Sequence, residues 1–156
     1  MSKASGTMER AMPVDERVLE AAVLGGAVLG GGGGGWIEEG KRLGGVALER
    51  GFREVRSVSV LPDDALLLTV SAVGAPSAGS SVLEPDDYVS AVELFLKETG
   101  ANISGLISSE VGALGVVNGW VQSATLGLPV IDAPANGRAH PLGLMGAMGL
   151  QREPGY

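Results

Sequence analysis

Six consecutive glycines, Gly30 to Gly35, stand near the start of the chain. No regular element keeps such a run for its own stability, because each glycine inside a helix costs about 1 kcal/mol relative to alanine. The backbone there serves one of two ends. Either successive peptide N–H groups form a nest for an anion or a carbonyl oxygen, at the start of a helix that begins near Trp36, or the run is a loop squeezed between packed elements. It lacks the Lys-Ser/Thr ending of a phosphate-binding loop, and it follows a helical pattern where the dinucleotide-binding fingerprint follows a strand. Glycine makes up 26 of the 156 residues, well above the usual ~7%, without the every-third spacing of collagen.

The segments around the run carry periodic apolar patterns. Residues 1–13 mix small, charged and flexible residues without a period and read as a flexible terminus. Asp15 is a helix N-cap, and Val18, Leu19, Ala22 and Val23 recur at helical spacing, predicting a helix to about Leu24 or a little beyond. Trp36 to Arg50 repeats the pattern through Ile37, Leu43, Val46 and Ala47, with Gly51 as the stop. Glu54 to Val60 alternates as a strand does. Ala65 to Val73 is nearly continuous Leu and Val after the Pro62-Asp63-Asp64 turn, and reads as a strand buried on both faces. Pro85-Asp86-Asp87 starts a helix that ends at Gly100. A strand over 102–108, a helix lined by Leu114, Val117, Val121 and Ala124, and a short strand over 128–131 complete the order. Such alternation predicts an α/β fold, a mostly parallel sheet with helices on both faces, formed by one domain over residues 14–156.

Composition excludes several classes. With 11 Lys+Arg against 18 Asp+Glu, a net charge of −7 and no basic cluster, the chain is not built to bind nucleic acid phosphates. It has no cysteine, hence no disulfide, zinc-thiolate site or thiol nucleophile. Ala21 to Ile37 is a long uncharged stretch, but it is glycine-rich and follows a charged segment, so it reads neither as a membrane span nor as a signal peptide. The expectation is a soluble cytoplasmic protein whose partner is a small molecule.

In open parallel sheets ligands sit beyond the carboxyl ends of the strands, which here carry Ser77, Glu110 and Asp132. The segment after Asp132 is dense in polar groups: Asn136, Gly137, Arg138 and His140. Asp132 suits a general base or a cation ligand, while Arg138 and His140 suit a carboxylate or a developing negative charge. The plainer alternative has Asp132 capping a turn, Arg138 pairing with it and His140 exposed. Glu110 stands just before Gly112, either as a partly buried proton-transfer group or as a capping carboxylate. Asn118 and Gln122 lie one turn apart and face either one pocket or the helix surface. Glu110, Asp132 and His140 have acceptable ligand types for a divalent metal, yet no close pair such as HExxH is present, which leaves the cofactor unassigned. No G-x-S-x-G elbow occurs.

The ordered set VLGGAVLGGGGGG, LPDDALLL, VGAP, SEVGALGVVNG and GLPVIDAPANGRAHP resembles the amino-terminal domain of the S-methyl thiohydantoin desulfurase family, associated with hydantoinase and oxoprolinase proteins. The resemblance covers about Val14 to Leu150. It implies an α/β domain that family members pair with a second, mainly β domain of comparable size, not carried by residues 1–156, and an action on five-membered hydantoin-like rings. The chain departs from the family at Trp36, where an acidic residue is common, at Ala133-Pro134-Ala135, and at His140, where an apolar aromatic residue is common. The implied reaction is hydrolytic: water attacks the ring carbon bearing the S-methyl group and methanethiol leaves. On that reading Asp132 or Glu110 is the base, Arg138 and His140 orient the substrate, and the N–H groups of Gly32, Gly33, Gly34 and Gly35 contact ring carbonyls or a carboxylate. The alternative is a non-catalytic binding or assembly subunit, a homo-oligomer or the partner of a separate chain.

Overall fold

A computed structural model describes residues 11–74, 83–139 and 146–155. Strands β1 (Ala11–Pro13), β2 (Glu54–Ser57), β3 (Leu67–Val70), β4 (Gly105–Ser108) and β5 (Val130–Asp132) form one sheet in the order β1-β2-β5-β4-β3. The pairs β2·β5, β5·β4 and β4·β3 are parallel, and β1 runs antiparallel to β2. The α/β class and the mostly parallel sheet are as the alternating pattern predicts. Among the described residues four α-helices accompany the sheet: α1 (Glu16–Gly30), α2 (Ile37–Glu49), α3 (Pro85–Thr99) and α4 (Trp120–Leu126).

Local chemistry sets the boundaries. The Asp15 carboxylate accepts the Val18 N–H at 2.8 Å and starts α1, which runs past Leu24 to Gly30 and stops where Gly31 turns left-handed at φ 59°. The Asp87 carboxylate accepts the Glu84 N–H and opens α3. Gly100 and Gly127, both at positive φ, close α3 and α4.

In the sheet, Val55, Val130, Leu106 and Leu68 lie in one row across β2, β5, β4 and β3. That face, with Val70, meets Leu19 and Val23 of α1, Leu43 and Ala47 of α2, Tyr88, Val89 and Val92 of α3, and Trp120 and Val121 of α4. Phe52 stacks on Trp120 at 4.8 Å between ring centroids within this core. The reverse face presents Leu67, Ile107 and Ile131, covered by Leu61, Ala133 and Ala135. Among the described residues all four helices therefore pack on one face, a correction to the expectation of helices on both. Among the described residues the cover of the reverse face comes from Leu61 and from the loop after β5, which supplies Ala133 and Ala135.

Other expectations shift for identifiable reasons. Ala11–Pro13, expected to be flexible, adds an edge strand held by backbone pairing, and Val14 behind it is buried with its N–H on the Arg53 carbonyl at 2.7 Å. The strand expected over Glu54–Val60 ends at Ser57. There the Ser57 hydroxyl accepts the Ser59 N–H, the Leu61 N–H turns back to the Val58 carbonyl, and Val58–Val60 curls into a 3₁₀ turn. The Leu/Val run expected to be buried on both faces yields β3 at the sheet edge, bordered among the described residues by β4 alone, and Val73 beyond it is 93% exposed.

Candidate functional site

At the carboxyl end of the sheet the ladder continues into loops. The loop after β5 runs beside the segment after β4: Ala135 N–H donates to the Ser108 carbonyl at 2.9 Å and Asn136 N–H to the Ser109 carbonyl at 2.7 Å. Further on, Val111 N–H donates to the Gly137 carbonyl at 2.6 Å and Ala139 N–H to the Val111 carbonyl at 3.0 Å, so Val111 and Arg138 form a parallel bridge. On the other side Ser109 reaches β3, its N–H on the Val70 carbonyl and its hydroxyl 3.0 Å from that of Ser71. The Ser108 hydroxyl lies 2.8 Å from the Glu110 carbonyl and 2.7 Å from that of Gly115, stapling the turn between them. The ends of β5, β4 and β3 are thus tied to one another by hydrogen bonds.

The glycine run closes against this rim. Gly34 and Gly112 face each other backbone to backbone, and a Cβ on either would strike the other's main chain. The Gly34 carbonyl accepts two N–H groups, from Leu114 at 2.9 Å and Gly115 at 3.0 Å. On the two flanking helices, Gly26 sits on the Gly112 carbonyl and Gly40 on that of Ala113. Gly33 approaches Ala139 so closely that an added Cβ would stand 3.0 Å from the alanine methyl. This much realises the packed-loop reading. A second part of the run stays open: Gly31 and Gly32 have free space where a Cβ would be, and both are exposed. The N–H of Gly33 is spent on the Gly30 carbonyl at 3.1 Å, whereas those of Gly32, Gly34 and Gly35 make no hydrogen bond among the described residues. Ahead of α2 the cap residue is Trp36, which offers no side-chain acceptor to the first turn.

The candidate side chains divide. Glu110 is half-buried and Asn136 and Gly137 are half-buried beside it, in the paired segments just described. Arg138 is exposed and lies between Gly137 and Ala139, next to the glycine loop. Asp132 is exposed at the end of β5, in register with Ser57 of β2. Its alternation with Ile131 puts it on the helix-bearing side of the sheet, the side that also carries Ser57 and Ser108. No ion pair or side-chain hydrogen bond joins Glu110, Asp132 and Arg138 among the described residues. Asn118 is different: only 2% exposed, it precedes α4, and its carbonyl oxygen accepts the Gln122 amide at 3.2 Å while the Gln122 oxygen takes the Gly119 N–H at 3.1 Å. The pair caps α4 inside the core and does not open onto the rim. Ser77 and His140 lie outside the described residues.

Among the described residues no group of three His, Asp or Glu side chains is placed to hold a metal ion. The acidic chemistry the sequence offers at the rim is therefore that of separate carboxylates. Two depressions lie at the opposite end, one between the start of β2 and the turn before β5 (Phe52, Arg53, Leu128, Pro129), the other beside Val14 and Leu48. Sequence reasoning passed over Ser71, Ser108 and Ser109 as site-builders, and it missed Gly112 as the counterpart of the glycine run. The visible signals were the Ser-Ser-Glu at the end of β4 and the glycine pair around Ala113-Leu114, each meaningful only once two loops are known to meet.

A model of the S-Me-THD-like amino-terminal domain matches residues 17–154. The chain belongs to that family. The match spans α1 to the last described turn, so the glycine loop and both segments of the rim are parts of the S-Me-THD-like domain itself. A solved structure of a protein from Chromobacterium violaceum is similar to it, at 31% sequence identity and a TM-score of 0.58. The alignment covers 83% of this chain and 36% of that one, so the S-Me-THD-like domain described here corresponds to about a third of the longer protein. No curated protein matches the chain. Among the described residues no helix is long and apolar enough to cross a membrane.

Proposed function

We propose that this S-Me-THD-like domain takes a five-membered cyclic amide of the hydantoin type at the carboxyl rim of its sheet and hydrolyses an S-methyl group from it. The observation that carries the reading is the meeting of three segments, Gly31–Gly35, Glu110–Gly112 and Asn136–Ala139, in a chain of this family. Peptide N–H groups of Gly32, Gly34 and Gly35 are free of internal bonds among the described residues, and such groups stabilise charge building on a carbonyl or ring nitrogen. Arg138 beside them supplies a fixed positive charge. A carboxylate, Asp132 or Glu110, takes a proton from water as its oxygen attacks the ring carbon. The C–S bond breaks, methanethiolate leaves and is protonated, and the ring carbon becomes a carbonyl.

Methanethiol release from S-methyl thiohydantoin tests this, followed with a thiol-reactive chromophore that a cysteine-free chain does not consume. Release is expected to fall at least ~100-fold in either Asp132→Asn or Glu110→Gln, the scale of a lost general base. A folded chain that neither binds nor turns over the compound overturns the reading. One observation favours a second reading, a binding subunit without catalysis: the domain corresponds to 36% of the Chromobacterium violaceum chain. Binding without thiol release, unaffected by both substitutions, would select it.

A further inference from the structure

Helix α1 is two-faced in an unusual way. Leu19, Val23, Gly26 and Gly30 point into the core, but the opposite face is apolar as well along its second half. Ala21, Leu24, Gly25, Val28 and Leu29 follow one another at helical spacing with no charge among them, Leu24 44%, Val28 80% and Leu29 62% exposed. Trp36, 65% exposed, follows the glycine loop that ends the helix. Solvent-facing helix surfaces are normally polar. Together these side chains leave on the order of 500 Å² of apolar surface in water, at the upper end of what a monomer keeps as its largest patch.

We propose that this face is a two-fold interface with a second copy of the chain, α1 packing antiparallel on α1 of the partner and crossing near Gly25. Three features favour a second copy. The stripe is self-complementary, as an isologous contact requires: with the axis at Gly25, Ala21 of one copy meets Leu29 of the other. Gly25 has nothing within 4 Å of where a Cβ would stand, so the helices approach closely there. The area is sufficient, since two such faces cover about 1,000 Å², where specific interfaces begin.

Charge fits as well. Arg17 lies on the same face one turn before Ala21 and forms no ion pair among the described residues, while the last turn of α1 has no basic residue. Antiparallel pairing brings each Arg17 to the negative, carbonyl end of the partner's α1, beside its glycine loop. A parallel pair would leave those ends uncompensated.

The absence of native cysteine makes the test direct. In sedimentation equilibrium between about 1 μM and about 1 mM, the range for an interface of this size, the 156-residue chain is expected to dimerise. Val28→Glu is expected to be monomeric with an unchanged far-UV circular dichroism spectrum, and Arg17→Glu to weaken the dimer roughly fivefold. Gly25→Cys, next to the axis, is expected to form a disulfide-linked dimer on mild oxidation, and Glu98→Cys on the exposed side of α3 is not. The cross-link decides the matter if Val28→Glu does not fold. A chain that is monomeric throughout overturns the proposal and leaves the face to a different chain. A dimer that Val28→Glu leaves intact and Gly25→Cys does not cross-link overturns it equally.

Discussion

Gly34 and Gly45 make a controlled comparison at the level of single residues. Gly34 has φ 77° and stands against the Gly112 backbone, so alanine there meets a left-handed conformation and a main chain that has no room to give. Gly45 lies inside α2 with nothing within 4 Å of an added Cβ. Gly34→Ala is expected to lower stability by about 3 kcal/mol, and Gly45→Ala to raise it by about 0.5–1 kcal/mol through helix propensity. Urea denaturation of the two variants checks both signs. The sequence shows where glycine is concentrated, but it cannot distinguish these two roles. A glycine that holds open a contact and one that merely tolerates a helix are spelled alike until the segment across the gap is known.

Among the elements, the α2–α3 contact carries the clearest titration. Arg42 bonds Glu39 through two nitrogens at 3.0 and 2.7 Å, reaches the Leu83 carbonyl at 2.8 Å and approaches Glu84. Hydrogen bonding to Glu39 raises the arginine above its usual value. Tyr88 beside it is buried, and that burial, with the Glu39 charge added, holds its hydroxyl above the usual 10.0. The unfolded chain releases this proton near pH 10 and the folded chain only at higher pH, so stability falls as pH rises from there toward the folded value. Thermal melts of Tyr88→Phe across that alkaline window are expected to show a shallower decline than the parent. The helices α1, α2 and α3 were legible because caps and apolar spacing are local. The strands were placed but drawn too long, since Ser57 and the exposed Val73 end them by pairing and turning that no local run encodes. The three-residue β1 was not legible at all: it has no period, and backbone pairing with β2 places it.

For the molecule as a whole, Asp132 closes β5, and Glu110, Asn136 and Arg138 lie in the segments after β4 and β5, because a parallel sheet directs its loops to that end. Which of them share a segment depended on the pairing of the loops after β4 and β5, and Asn118 turned inward because Gln122 gave it a partner. That pairing joins the helical hairpin α1–α2 to the sheet rim through few but crowded contacts. The amides of Val111, Leu114 and Gly115 are expected to exchange with deuterium together, at one opening rate, and all three faster in Gly34→Ala. Staggered exchange among them would show the rim opening piecemeal. The face-to-face approach of Gly34 and Gly112 also bears on how such a chain can diverge. Two hydrogen atoms set the clearance between helix layer and rim, so neither position accepts a side chain unless the whole layer moves outward. Drift is channelled to the charged groups around them, and the spacing between the two layers is inherited while the side chains along the rim are free to change.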